Sequence, residues 1–254
     1  MAIADYWKYY WGAKTKYQVH SPFVFEFVEQ ILEDDRQYYY FNTIEGYRKQ
    51  IYANKTSIEI NRTSGTPLHQ LAKANAISSE MGRLLFKLVN KYQPKTALEL
   101  GTGAGIATLY QCTPSKKMQL YSIEENFGLA KNIQHLLRKL GLQQVQFRAG
   151  LFEKNIPNIL TRMPSIELVT VNQLATKALM EKIINHCTKE AVLVLNYPHA
   201  TKERLQYWKW LKKHPSVRLS LDLYKMGFAF FREEQKDKTH FDLIKAYKKP
   251  WAMF

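Results

Sequence analysis

Cysteine is scarce: Cys112 and Cys187 are the two in 254 residues. That is too few for a disulfide framework, neither has the paired spacing of a zinc site, and such scarcity points to a reducing compartment. No apolar run approaches the roughly 18 residues needed to cross a bilayer. The aromatic start, Met1 to Gly12, lacks the continuous apolar stretch of a secretion signal. The expectation is a soluble cytoplasmic protein with no membrane partner. Internal repeats and low-complexity tracts are also absent, and the short charge runs Glu33-Asp34-Asp35 and Lys212-Lys213 read as ordinary solvated surface. Acid is in short supply, with 22 Asp and Glu against 37 Lys and Arg and a formal charge of +15. Residues 1–80 carry 9 of each sign, so the whole surplus falls on residues 81–254, where 28 basic residues face 13 acidic ones. Two readings follow from the surplus: a basic solubility coat, or attraction for an acidic partner such as RNA.

What is present centres on Glu99-Leu-Gly-Thr-Gly-Ala-Gly105, directly after the apolar Thr96-Ala-Leu98. The order reads as a strand feeding a glycine turn and then a helix from Ile106 to Cys112. Gly101, Gly103 and Gly105 adopt backbone angles closed to other residues and remove β-carbons that would hold a ligand away. Helix packing alone also explains such a trio. About twenty residues on, Leu120-Tyr-Ser-Ile-Glu124-Glu125 is a second strand ending in carboxylates, the spacing of a βαβ unit whose acid grips ribose hydroxyls. Glu99 beside the glycines disfavours a pyrophosphate and favours a cationic nucleoside.

At these residues the chain resembles the class I S-adenosylmethionine-dependent methyltransferases, over roughly residues 79–235. Val145 to Phe152 matches the third strand and adenine loop, Ile166 to Asn172 the fourth strand and Ala191 to Asn196 the fifth. Val217 to Tyr224 and Phe228 to Phe231 match a closing hairpin across a glycine-containing turn. The resemblance implies an α/β, Rossmann-like sheet, mostly parallel, with one antiparallel strand in the C-terminal hairpin. It divides the chain into an N-terminal helical, aromatic-rich lid (1–78), the cofactor domain (79–235) and a tail (236–254). S-adenosylmethionine is the implied cofactor, held by Glu99, Gly101, Thr102, Gly103, Gly105, Glu124, Gly150, Leu151, Phe152 and Asn172. The motifs His20-Ser-Pro-Phe23, Glu99 to Thr102 and Asp222 to Gly227 look like a bacterial group related to the small-molecule O-methyltransferases.

Related catechol-type enzymes hold a divalent metal through acids closing the fourth and fifth strands. Here Asn172 and Asn196 stand in those places, and two neutral amides cannot supply the lost charge, so no catalytic metal is expected. His199, three residues past Asn196, is a candidate base, because free imidazoles titrate at about 6.5. His20 is a second candidate if the lid closes over the pocket, and Tyr197 can orient a substrate. Each also has an ordinary role as a surface or packing residue.

Within 1–78, Ser21 is a candidate N-cap and Pro22 a first helical residue, ahead of a face bearing Phe23, Phe27 and Ile31. Asn54 to Gly65 reads as a polar loop, Gly128 to Leu142 as a helix, and Leu205, Trp208 and Leu211 as a packing face. The aromatic segment serves equally as a substrate lid or a homodimer interface. Three functions follow: methyl transfer to a small-molecule hydroxyl or amine, methyl transfer to RNA, or an inactive relative that keeps the fold as a binding protein.

Overall fold

In the computed structural model, which describes residues 3–60, 63–234 and 237–252, helices and strands alternate through the middle of the chain. In order they are α1 (Ile3–Gly12), α2 (Pro22–Phe27), α3 (Tyr39–Ala53), β1 (Ser57–Ile60), β2 (Thr63–Pro67), α4 (Leu68–Asn75), α5 (Ser79–Tyr92), β3 (Thr96–Leu100), α6 (Ile106–Cys112) and β4 (Gln119–Glu124). There follow α7 (Phe127–Lys139), β5 (Val145–Ala149), α8 (Phe152–Leu160), β6 (Ile166–Val171), α9 (Lys177–Ile184), β7 (Cys187–Asn196), α10 (Lys202–Lys213), β8 (Leu219–Asp222), β9 (Met226–Phe230) and β10 (Thr239–Asp242). Two compact units result, one of residues 37–188 and one of residues 1–36 with 189–254.

The unit of residues 37–188 is built on parallel strands in the order β6-β3-β4-β5. Ala97, Leu98, Leu100, Leu120, Ile123, Val169 and Val171 lose all contact with solvent. These short apolar runs, without alternation, are what a strand covered on both faces requires. Ahead of β3, α5 starts at a Ser78 cap whose hydroxyl accepts from the Met81 N–H at 3.3 Å. Its glycine, Gly82, lets α5 approach α6: a Cβ there would lie 2.2 Å from the Tyr110 ring. The helix expected over 128–142 ends sooner, at Lys139. Gly141 turns left-handed (φ 62°), and Gly141 and Leu142 donate back to Arg138 and Leu137, closing a Schellman motif.

The polar stretch expected as a loop over Asn54 to Gly65 contributes instead to an antiparallel hairpin, Ser57 opposite Pro67 and Ile58 opposite Thr66. Threonine and isoleucine favour extended backbone, and that preference outweighs the polar composition. Asn61 and Arg62, part of that expectation, lie outside the described residues.

In the other unit the order is β10-β8-β9-β7. β9 runs antiparallel to both β7 and β8, as expected of the closing hairpin, and β10 runs parallel to β8. The turn between β8 and β9 differs in detail from the sequence reading. Its left-handed residue is Tyr224 (φ 66°), while Gly227 sits inside β9, where a Cβ would lie 2.8 Å from the Trp208 indole. Trp208 is fully buried. The segment 236–254 contributes β10, and Lys14 joins its end through Lys14 N–H to Asp242 (2.7 Å) and Ile244 N–H to Lys14 (3.0 Å). Ser21 caps α2, accepting from Val24 N–H at 3.4 Å, and Phe27 meets Phe228 and Phe230 edge to face. Among the described residues no helix is long and apolar enough to cross a membrane.

Candidate functional site

Where β3 ends, the N–H groups of Gly101 and Thr102 both donate to the Ile123 carbonyl, at 3.0 and 3.1 Å, folding the turn over the end of β4. Gly101, Gly103 and Gly105 all have positive φ, at 83°, 58° and 78°. Space separates their roles. A Cβ on Gly101 would lie 2.8 Å from the Gln173 Cβ, and one on Gly105 would lie 3.2 Å from Ile133 and Leu136, so close packing accounts for both. A Cβ on Gly103 would meet only Asn75, at 3.9 Å. Gly103 instead presents bare backbone to a cleft of about 390 Å³.

Two carboxylates share that cleft. Glu124 accepts from Gly103 N–H at 2.7 Å and from Asn126 N–H at 2.9 Å, which fixes its oxygens at the mouth of the glycine turn. Burial pushes its pKa up, against the pull of those two N–H groups. Glu125 accepts from the Phe152 N–H at 2.9 Å and from the Gln173 amide. Gly101, Asn172, Leu151 and Leu129 complete this side, while Leu71 and Asn75 of α4 close the other. Among the described residues lining the cleft there is no cationic side chain.

Glu99 does not line the cleft; it lies beneath it, fully buried. Four side-chain donors converge on its carboxylate: Ser122 (2.6 Å), Thr108 (2.7 Å), Gln111 (2.9 Å) and Asn172 (3.1 Å). Loss of hydration raises its pKa to about 7 even so. Asn172 is the link upward, since its amide also donates to the Gly101 carbonyl at 2.7 Å and itself borders the cleft. Thr102 is buried, with its hydroxyl 2.6 Å from that of Ser122. Gly150 (φ 112°) donates to the Glu124 carbonyl at 2.8 Å, Leu151 stands half exposed at the rim, and Phe152 is core.

The remaining candidates belong to the other unit. His199 Nε2 lies 2.8 Å from Asp222 Oδ2, and its ring stacks on Tyr224 at 4.7 Å and 12°. Asp222 is 1% exposed and accepts from the Trp208 indole N–H at 2.7 Å and the Tyr224 N–H at 2.8 Å, so the carboxylate is fixed before it meets the imidazole. Tyr197 (φ 53°) donates its N–H to the Lys225 carbonyl at 2.7 Å, and its own carbonyl accepts from Arg204 at 3.1 Å. His20 is exposed just ahead of the Ser21 cap. Ligand atoms of Asp222, His240 and Asp242 lie within 4.8 Å of one another. The Lys212 ammonium, 3.0 Å from His240 Nε2, already supplies positive charge to that group.

No protein-family model matches the chain, and no curated protein matches it. Solved structures do. An O-methyltransferase from Bacillus cereus in complex with SAH matches with a TM-score of 0.57 at 15% identity, over 82% of this chain and 97% of that one. The fold is that of the class I O-methyltransferases. The O-methyltransferase TomG from Streptomyces achromogenes, involved in tomaymycin synthesis and solved with SAM, matches at 0.55 and 16% identity over 78% and 91%. The SAH-bound methyltransferase PaMTH1 from Podospora anserina matches at 0.58 and 11% over 81% and 93%. Within this methyltransferase fold, sequence reasoning did not reach Leu71, Asn75 or Gln173. Asn75 ends a short helix with no motif of its own, whereas Gln173 was detectable as the neighbour of Asn172.

Proposed function

We propose that the chain is an S-adenosylmethionine-dependent methyltransferase that modifies a hydroxyl or amine of a small molecule without a catalytic metal. The observation that carries this reading is Gly103, whose bare backbone faces a cleft beside the fixed carboxylate of Glu124. The cleft's chemistry fits the cofactor: a nucleoside diol needs acceptors, and an ammonium and a sulfonium favour carboxylates with no competing cation. A phosphate-bearing cofactor would meet repulsion there. When bound, S-adenosylmethionine supplies a methyl group already activated for transfer.

The chain's own residues then have distinct tasks. Glu124 accepts from ribose hydroxyls with the lone pairs that Gly103 and Asn126 leave open. Gly103 lets the methionine portion approach the backbone, and Leu151 borders the base. Glu99 acts from below, by fixing the Asn172 amide. His199 takes the proton from the attacking hydroxyl or amine, and Asp222 orients its ring and balances the imidazolium that forms. Tyr197 and His20 serve substrate positioning, and the N-terminal segment helps to select the substrate; the presence of Leu71 and Asn75 in the cleft wall supports that. Metal independence is supported by the neutral amides of Asn172 and Asn196 at the ends of β6 and β7, because hard divalent cations rely on anionic oxygen.

Calorimetric titration with S-adenosylmethionine and S-adenosylhomocysteine tests the core of this reading. Saturable heat for the natural chain, lost in Glu124→Ala with the fold intact by circular dichroism, is the expected result. Absence of heat with either compound overturns it.

A further inference from the structure

The unit of residues 1–36 and 189–254 carries an aromatic surface that the proposed chemistry does not use. On α1, Trp7 is 50% and Trp11 66% exposed, and on the segment after β10 Tyr247 is 66% and Trp251 57% exposed. Isolated exposed aromatics need no explanation, but a contiguous set marks a contact surface. Here Trp7, Trp11 and Trp251 form a contiguous, built set through Tyr10. Trp7 meets Tyr10 edge to face at 5.6 Å, Tyr10 meets Trp11 at 5.7 Å, and Trp251 packs on both Tyr10 and Trp11, at 6.2 and 6.1 Å. Polar bonds beneath hold it together: Tyr10 hydroxyl to the Lys248 carbonyl at 2.6 Å, and the buried Lys249 ammonium to the carbonyls of Ala13 (2.6 Å) and Trp11 (3.1 Å).

We propose that α1 and residues 245–251 form a docking face for an anionic lipid surface. Tryptophan and tyrosine are the side chains that settle at a bilayer's polar boundary, each with an apolar body and a polar tip. The charge around them is complementary to anionic headgroups. Lys8 and Lys248 are exposed and Lys245 half-buried on the same two segments, where Asp5 is the acidic residue, and the exposed Lys14 follows α1 directly. Such a face needs no membrane span, so the lack of one, on which the expectation of no membrane partner rested, does not bear on it.

Ring geometry separates this occupant from a nucleic acid. Successive bases stack on a series of roughly parallel rings, whereas Trp7, Tyr10 and Trp11 stand nearly perpendicular to their neighbours, at interplanar angles of 80° and 81°. Charge separates it from a second copy of the chain, because a twofold contact would set these lysines against themselves. The same aromatic row runs on through Tyr6 to Tyr224, at 4.9 Å, and so to the ring stacked on His199.

Co-sedimentation of the full chain with phosphatidylcholine vesicles, with and without phosphatidylglycerol, tests the proposal. Binding is expected only to the anionic vesicles, with a blue shift of tryptophan emission and weakening in high salt. Lys8→Gln with Lys248→Gln should lower the partition coefficient about fivefold for each lysine removed, and Trp7→Ala with Trp11→Ala should cut the blue shift to the share that Trp251 supplies. All four side chains are exposed, and circular dichroism checks that each variant folds. The proposal fails if the natural chain ignores anionic vesicles, or if the substitutions leave partitioning unchanged. It fails equally if they abolish RNA binding or self-association in place of vesicle binding.

Discussion

Glu99 is an acid that is easier to protonate inside the protein than outside it. Its folded pKa of about 7 lies above its ordinary 4.5, so the folded chain holds a proton that the unfolded chain has released in between. The stabilisation is complete below the unfolded value and is lost as pH rises through the folded one, a swing of about 3 kcal/mol. Urea unfolding at a series of pH values should therefore show stability falling across that window, and Glu99→Gln should flatten this slope. Gly101 offers a different test at the same scale. Gly101→Ala adds a Cβ at positive φ, 2.8 Å from Gln173, and should cost about 1–3 kcal/mol by chemical denaturation. For the proposed base, His199→Ala should reduce the rate of methyl transfer about 10²-fold or more while cofactor affinity stays constant. Asp222→Asn should cause a smaller loss together with a changed pH profile of kcat, which a merely structural role would not alter.

At the scale of elements, close approach between helices and strands depends on two glycines outside the turn. Gly82 faces Tyr110, whose ring cannot swing aside because its hydroxyl is held by Glu45 at 2.7 Å. Gly82→Ala should lower Tm and cost about 1–3 kcal/mol in calorimetry or denaturant titration. Elements with a strong local signal were legible in the sequence: the strand at Thr96, the helix from Ile106 to Cys112 and the Ser21 cap. The β1–β2 hairpin was hidden because its polar residues compose a loop as readily as a two-stranded ribbon. β10 was hidden because its four residues, Thr239 to Asp242, gain their extended form from pairing with β8 rather than from apolar content. The same division holds for the cleft. Its glycines and Glu124 announce themselves by spacing, whereas Asn75 and Leu71 reach it through tertiary packing alone. The depth of Glu99 was not legible either, since a carboxylate in a turn reads as a ligand contact until its four side-chain donors are seen.

For the whole molecule the formal charge is +15, and Lys245 and Lys248, beside the exposed aromatic face, belong to the surplus carried by residues 81–254. If no divalent ion takes part in the reaction, chelator or added magnesium should leave methyl transfer unchanged; strong inhibition by chelator would overturn metal independence.

The pairing of Lys14 with the end of β10 has a consequence during synthesis. Residues 1–36 leave the ribosome well before their partners in the same compact unit, which begin at residue 189. The unit of residues 37–188 is contiguous and is free to fold meanwhile. For most of translation, α1 with Trp7 and Trp11 must therefore wait without its final neighbours, as sticky nascent chain within reach of chaperones.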